Sequence, residues 1–358
     1  MNSLESVMVK LKQLAPLSLA ASWDNVGLLV EPSPPKYISK IMLTNDLTSG
    51  VMEEAKDKTV DLIISYHPPI FTPIKRLTQD SWKQRLVVEC IENRIALFSP
   101  HTSFDAVKDG VNDWLISAFD YKKDTLAPIE VTEEFPDGLT HALEIEIDPS
   151  KLKEIRDQVL LSQLPAESRL RKNKEAFKTH PVKVGSTETL KLCVECNKSE
   201  LTSMMKGLTL NSCLEHLSIK QLMKAPRTTT GFGRKAELSN SISLDAAIEM
   251  VKSHLKLQHV SVAKSQSKQT DKIESVAVCA GSGSGVLGSV QADLLLTGEM
   301  SHHEVLDAVH RGCNVILCHH SNTERGYLKV VEEKLSKSFG DSMQVFLADS
   351  DSDPLIVV

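Results

Sequence analysis

Three apolar stretches of the chain end in histidine: "LIISYH" delivers His67, "IALFSPH" delivers His101, and "VILCHH" delivers His319 and His320. In two of them a carboxylate follows four residues later, Asp105 after His101 and Glu324 after His320. That offset places both side chains on one face of a helical turn. Imidazole and carboxylate together suit borderline divalent cations such as Zn²⁺, Mn²⁺ or Fe²⁺, and a carboxylate can bridge two cations where an imidazole cannot. A lone histidine at a strand end is ordinarily solvated or hydrogen-bonded, and an isolated H-x-x-x-D/E match carries little. The joint recurrence is what points to a transition-metal site, with one or two ions per chain. Glu299, His302 and His303 in "TGEMSHH" follow a further apolar run. They could supply a general acid or base beside the metal, or Glu299 could be structural while the histidines merely open a helix. Two close cations activate water against a polarised carbonyl or phosphoryl group, so hydrolysis is the expected reaction class.

Other motifs carry less. "CAGSGSGVLGSV" contains a literal G-x-G-x-x-G at Gly283, Gly285 and Gly288, but the crossover helix of a dinucleotide fold has no room before the next strand. A tight turn able to bind an anion and a simple packing turn both remain open. Arg234 in "TTTGFGR" could reach an anionic substrate, although an exposed arginine is usually only solvated. "DSDSDP" begins like a calcium loop yet lacks its glycine and distal glutamate, and reads as a turn. Cys193 and Cys196 fall on an alternating strand, where residues three apart face opposite sides. They are therefore expected to be packing thiols.

The elements that must position these residues read as an α/β fold. The first part alternates helix and strand through "KIMLTND", "DLIISYH" and "IALFSPH", and the last part resumes with "SVAVCAG", "ADLLLTGE" and "NVILCHH", which is the logic of a mostly parallel sheet. In the middle, "HALEIEI" and "ETLKLCVEC" alternate as half-exposed strands, each followed by a helix. The first helix has Asp148 and Pro149 at its start, and the second has Asn197 and Glu200 spaced as a capping box. This middle part predicts an inserted ferredoxin-like α+β domain over residues 126–231, inside an α/β core made from 1–125 and 232–358. The carboxyl edge of a parallel sheet is where ligand crevices form, so the strand-end histidines should converge there.

Composition narrows the function classes. The chain has 358 residues, is 41% hydrophobic and carries a net charge of −6. No apolar run approaches the ~18–20 residues of a membrane span, and Glu5 with two lysines interrupts any signal-type region near the start. A cytoplasmic protein is expected, with the nucleus as a second location. Seven scattered cysteines suit reduced core thiols better than a disulfide framework. The acidic balance argues against direct nucleic-acid binding, so any regulatory role would run through protein partners.

Five ordered motifs, "WDNVGLLV", "IISYHPPIF", "PHTSFDAVKDGVNDWL", "LLLTGEMSHHEVLDA" and "HHSNTERG", resemble the Nif-three-like family, whose members also carry the label GTP cyclohydrolase type-two-like. The long insertion is similar to that of animal members. The resemblance implies a dinuclear metal centre on an α/β fold, in homodimers that build toroidal hexamers. Carried over by motif position, the ligands are His67, His101, Asp105, His320 and Glu324. The family's bacterial pattern has two histidines where this chain has Tyr66-His67, and a neutral phenol is a poor ligand at pH 7. This counts against full occupancy of a second site. Two functions follow as expectations: a cyclohydrolase-like, metal-dependent hydrolase acting on a small molecule, or a scaffold with a structural metal that binds transcriptional cofactors, as an inferred corepressor.

Overall fold

The computed structural model describes residues 2–184, 187–210, 217–266 and 272–358. The chain forms two compact units, one from Met1–Thr132 with Thr228–Val358 and one from Glu133–Arg227. The sequence reading set these limits at 126 and 231.

The larger unit contains two five-stranded sheets. In the first, the order is Gln344–Leu347, Lys40–Thr44, Leu62–Ser65, Ala96–Ser99 and Gly27–Val30. The first four strands run parallel and the last is antiparallel. Every residue of Leu62–Ser65 and Ala96–Ser99 is buried, which is why these strands read as continuous apolar runs rather than alternating ones. The second sheet has the order Arg234–Ser243, Lys272–Ser282, Leu294–Glu299, Asn314–Leu317 and Ser261–Ala263. Its three central strands are parallel and its two edge strands antiparallel.

One face of each sheet contributes to a shared core. Ile41, Leu43, Ile64 and Phe98 from the first sheet join Val276, Val278, Leu294 and Ile316 from the second, together with Val7 and Leu11 of helix Leu4–Leu14 and Val331 and Leu335 of helix Tyr327–Phe339. Each such side chain contributes roughly 1.5–3 kcal/mol on burial. The opposite face of the first sheet is covered by helices Ser49–Asp57 and Trp82–Glu92, and that of the second by His302–His310. The Gln344–Leu347 strand comes late in the chain but pairs in the first sheet, Gln344 opposite Lys40 and Leu347 opposite Leu43.

The smaller unit is a four-stranded antiparallel sheet in the order Leu217–Gln221, His141–Ile147, Thr187–Cys196, Lys178–Val184. With helical segments after His141–Ile147 and after Thr187–Cys196, this is the ferredoxin-like topology, in which the fourth strand lies beside the first. Asn197 and Glu200 form their reciprocal cap, at 2.9 and 3.1 Å. Asp148 caps a short 3₁₀ turn, Pro149–Lys151, which leads into the helical segment Glu154–Leu160. Cys196 enters this unit's core with Leu192 and Val194, while Cys193 pairs across the sheet with Glu144 on the other face. The cysteines among the described residues are all free thiols; Cys213 lies outside the described residues. No helix among the described residues is long and apolar enough to cross a membrane.

Candidate metal centre

The carboxyl ends of the two parallel sheets supply the site. From the first sheet come Asn45 and Asp46 after Lys40–Thr44, His67 after Leu62–Ser65 and His101 after Ala96–Ser99. From the second come Gly281 near the end of Lys272–Ser282, Glu299 at the end of Leu294–Glu299, and His320 just beyond Asn314–Leu317. Two histidines leave their strands through left-handed backbone, His101 at φ 34° and His319 at φ 67°. Non-glycine residues pay for that conformation and keep it where the surroundings over-determine it.

His67, His320 and Glu324 each offer one ligand atom, and these atoms lie within 4.8 Å of one another. Glu324 Oε2 is 3.4 Å from His67 Nε2, and Oε1 is 3.3 Å from His320 Nε2. The Nδ1 atoms turn outward to carboxylates. His67 pairs with Asp46 at 2.9 Å, His320 with Glu299 at 3.0 Å, and His101 with Asp24 at 2.8 Å. A carboxylate on Nδ1 fixes the ring and leaves Nε2 as the inward nitrogen, the arrangement that serves metal-binding imidazoles. Asp24 also accepts from the Thr102 hydroxyl and, at 3.2 Å, from the Thr102 amide.

The electrostatics are those of a negative pocket. Burial opposes the charged forms of His67 and Glu324, yet their mutual contacts prevail. His67 is raised to about 10 by Asp46 and Glu324, His320 to about 9 chiefly by its hydrogen bond to Glu324, and Glu324 is lowered to about 2 by both imidazoles. Burial pushes Asp105 up to about 6 against the hydrogen bond from Tyr66. A divalent cation bound to these imidazoles would displace their protons, since imidazole must be neutral to ligate.

Two further features fit a cation. Gly281, at φ 65°, passes so close that a Cβ would sit 2.6 Å from Glu324 Oε1 and 3.0 Å from His320 Nε2. Asn45 donates to Glu324 Oε2 at 3.2 Å, while its own Oδ1 is buried with no hydrogen-bond partner. The donor set, two neutral-capable imidazoles and a carboxylate, matches Zn²⁺, Mn²⁺ or Fe²⁺.

The remaining expected residues are distributed more loosely. The His101 ring lies 5.4 Å from that of His67, outside the tight group, and Asp105 Oδ1 accepts from Tyr66 Oη at 2.6 Å. Both line a cavity of about 400 Å³ together with His320 and Glu324. Glu299 touches the site as the Nδ1 partner of His320. His302 and His303 stand exposed at the start of helix His302–His310, whose cap is Ser301 with Glu304, and neither lines this cavity. Arg234 corrects a sequence reading: it is 2% exposed rather than solvated, paired with Asp113 at 2.7 Å. "DSDSDP" is also more than a turn. Asp351 accepts from Asn45 N at 2.7 Å and pairs with Arg325, and Asp353 accepts from the Ser321 hydroxyl at 2.5 Å. Asp24, Asp46, Asn45, Gly281 and Asp351 escaped the sequence reading as site residues, though all five stand inside stretches it quoted, "WDNVGLLV", "KIMLTND", "CAGSGSGVLGSV" and "DSDSDP".

A sequence profile of the family described as Duf34/NIF3 (NGG1p interacting factor 3) matches residues 2–354. The chain belongs to the Duf34/NIF3 family. Among relatives it is similar to NIF3-like protein 1 of Bos taurus, 42% identical with 99% of this chain and 92% of that protein covered, and of Homo sapiens, 40% identical with the same coverage. NGG1-interacting factor 3 of Saccharomyces cerevisiae is 30% identical over 94% of this chain and 90% of its own. Among solved structures, Staphylococcus aureus protein SA1388 shares the fold, with TM-score 0.76 at 22% identity and 99% of both chains covered. Reduced HcgD from Methanocaldococcus jannaschii shares it at TM-score 0.60 and 20% identity, with 97% of this chain and 98% of its own covered. In this Duf34/NIF3 chain the phenol of Tyr66 donates to Asp105, and burial beside Asp105 and Glu324 raises its pKa well above the usual tyrosine value. Tyr66 is a protonated donor here.

Proposed function

We propose that the protein is a metal-dependent hydrolase of a small molecule, of the cyclohydrolase-like kind, with His67, His320 and Glu324 holding a divalent transition metal. The observation that carries this reading is the cavity of about 400 Å³, which is bounded by His320 and Glu324 and so brings a ligand-sized space to the cluster. A cation held there supplies Lewis acidity toward a carbonyl or phosphoryl oxygen and activates water. The protein's own groups do the rest. Asp46 and Glu299 hold the imidazoles in the tautomer with Nε2 inward. Asp105, steadied by Tyr66 Oη, presents a carboxylate in the same cavity as proton acceptor. Trp23 and Phe232 add apolar lining that favours a partly nonpolar substrate over bulk water. Glu299 then acts by positioning His320, while His302 and His303 stand outside this cavity.

The second reading, a scaffold with a structural metal, is favoured by the name of the yeast relative as an interacting factor. One variant separates the two. Metal-loaded protein is screened against cyclic amides and phosphate esters, alongside Asp105→Asn. A hydrolase loses roughly 10²- to 10⁴-fold in kcat/KM while its melting temperature and metal content stay near wild type. A wild type silent across the screen, with a variant that sheds metal and melts early, overturns the proposal and supports the scaffold.

A further inference from the structure

The unit that holds the metal centre contains a larger cavity, about 540 Å³, which shares no lining residue with the spaces at the histidine cluster. Arg234 and Asp113 contribute a buried ion pair to it. All five N–H groups of Arg234 are spent within the protein. Nε and Nη2 donate to Asp113, Nη2 also to Val107 O, and Nη1 to the carbonyls of Gly231 and Gly233, at 2.7–3.1 Å. Charge available to a ligand must therefore come from elsewhere in the lining.

It comes from lysines. Lys334 Nζ donates to Asp109 O at 2.9 Å and lies 5.6 Å from the centre of the Tyr327 ring. Lys108 and Lys123 make no ion pair among the described residues, and both are exposed. With Arg234 and Asp113 cancelling and Asp109 offsetting one lysine, the lining keeps a two-charge positive excess in a chain whose net charge is −6. The same lining is aromatic. Trp114 packs against the backbone of Gly326, where a Cβ would come within 2.4 Å of its Cζ2, and its ring centre lies 4.7 Å from that of His254. The indole is thereby fixed, with Tyr121 on the same cavity and the hydroxyls of Thr228 and Thr229 as further donors.

Cationic groups alone would accept any anion, and aromatic groups alone any flat ring. A cavity of this volume offering both selects a molecule that carries both, within the size range of small-molecule sites. We propose that this cavity is a second binding site, for an aromatic monophosphate of mononucleotide size, its ring against Tyr121 and Trp114 and its phosphate between Lys108 and Lys123. The inference is independent of the hydrolase reading.

The test is calorimetric titration of the purified protein with adenosine monophosphate, with inorganic phosphate and adenosine as separate probes. The monophosphate is expected to bind more tightly than either part, more weakly as salt rises, and at least tenfold more weakly to the double variant Lys108→Glu, Lys123→Glu. His320→Ala is expected to leave this binding unchanged. No heat of binding up to about 1 mM ligand overturns the proposal. So does binding that ignores the lysine pair, or that disappears with His320→Ala, because the ligand would then sit at the histidine cluster.

Discussion

At the scale of single residues, the site is organised by what stands behind each imidazole. His320 is held between Glu324 and Glu299, so Glu299→Gln keeps the shape of the contact and removes its charge. Metal affinity is expected to fall roughly 10- to 100-fold, measured by competition with a chromogenic chelator, while the fold remains intact by circular dichroism. An unchanged affinity would mean that Glu299 does not act through His320. The inward group of His67, His320 and Glu324 was legible in the sequence because strand-end histidines and a four-residue carboxylate offset are local signals. Asp24 and Asp46 were not, because a partner to Nδ1 may come from any neighbouring strand with no fixed offset. Arg234 was misread for a related reason. Its burial depends on Asp113, 121 positions away, and no local pattern encodes that pairing. The weak motif of Gly283, Gly285 and Gly288 carried no site signal, and it is its neighbour Gly281 that is pressed against Glu324 and His320.

At the scale of elements, helix Ser49–Asp57 fastens the segment after the last strand. Glu54 accepts the amides of Asp349 and Ser350, both at 2.9 Å, the Ser350 hydroxyl, and Lys58 Nζ at 2.7 Å. Burial opposes its charge, but these donors lower it from 4.5 to about 2. A carboxylate depressed in the folded state contributes stability that is present above pH 4.5 and is lost as pH falls through about 2. Between pH 5 and pH 2 the melting temperature of the wild type should therefore fall more steeply than that of Glu54→Gln, and the two curves should converge near pH 2. At pH 7 the variant should be less stable by about 1–3 kcal/mol. Parallel curves across this range would show that the clamp contributes nothing. The same segment then reaches the site, since Asp351 joins Asn45 to Arg325. The parallel strands were readable from their unbroken apolar runs. This tail was not, because its acidic residues find their partners only across the fold.

At the scale of the whole molecule, the smaller unit has its own antiparallel sheet and its own core. We expect a protein lacking residues 133–227, with Thr132 joined to Thr228 by a short linker, to melt cooperatively and to bind the same quantity of metal as the parent. An unfolded product by circular dichroism would sink this. The α/β character and the ferredoxin-like module could be read from alternation and caps, whereas the pairing of Gln344–Leu347 with Lys40–Thr44 could not, because strand order is set by packing rather than by position along the chain. That pairing has a consequence for biosynthesis. The apolar edge of Lys40–Thr44 leaves the ribosome early, yet its partner strand emerges some 300 residues later, on the order of tens of seconds at ordinary translation rates. Throughout that interval the nascent chain displays an unpaired strand edge, the kind of surface that recruits other chains, so a ribosome stalled before codon 344 should release a product dependent on chaperones.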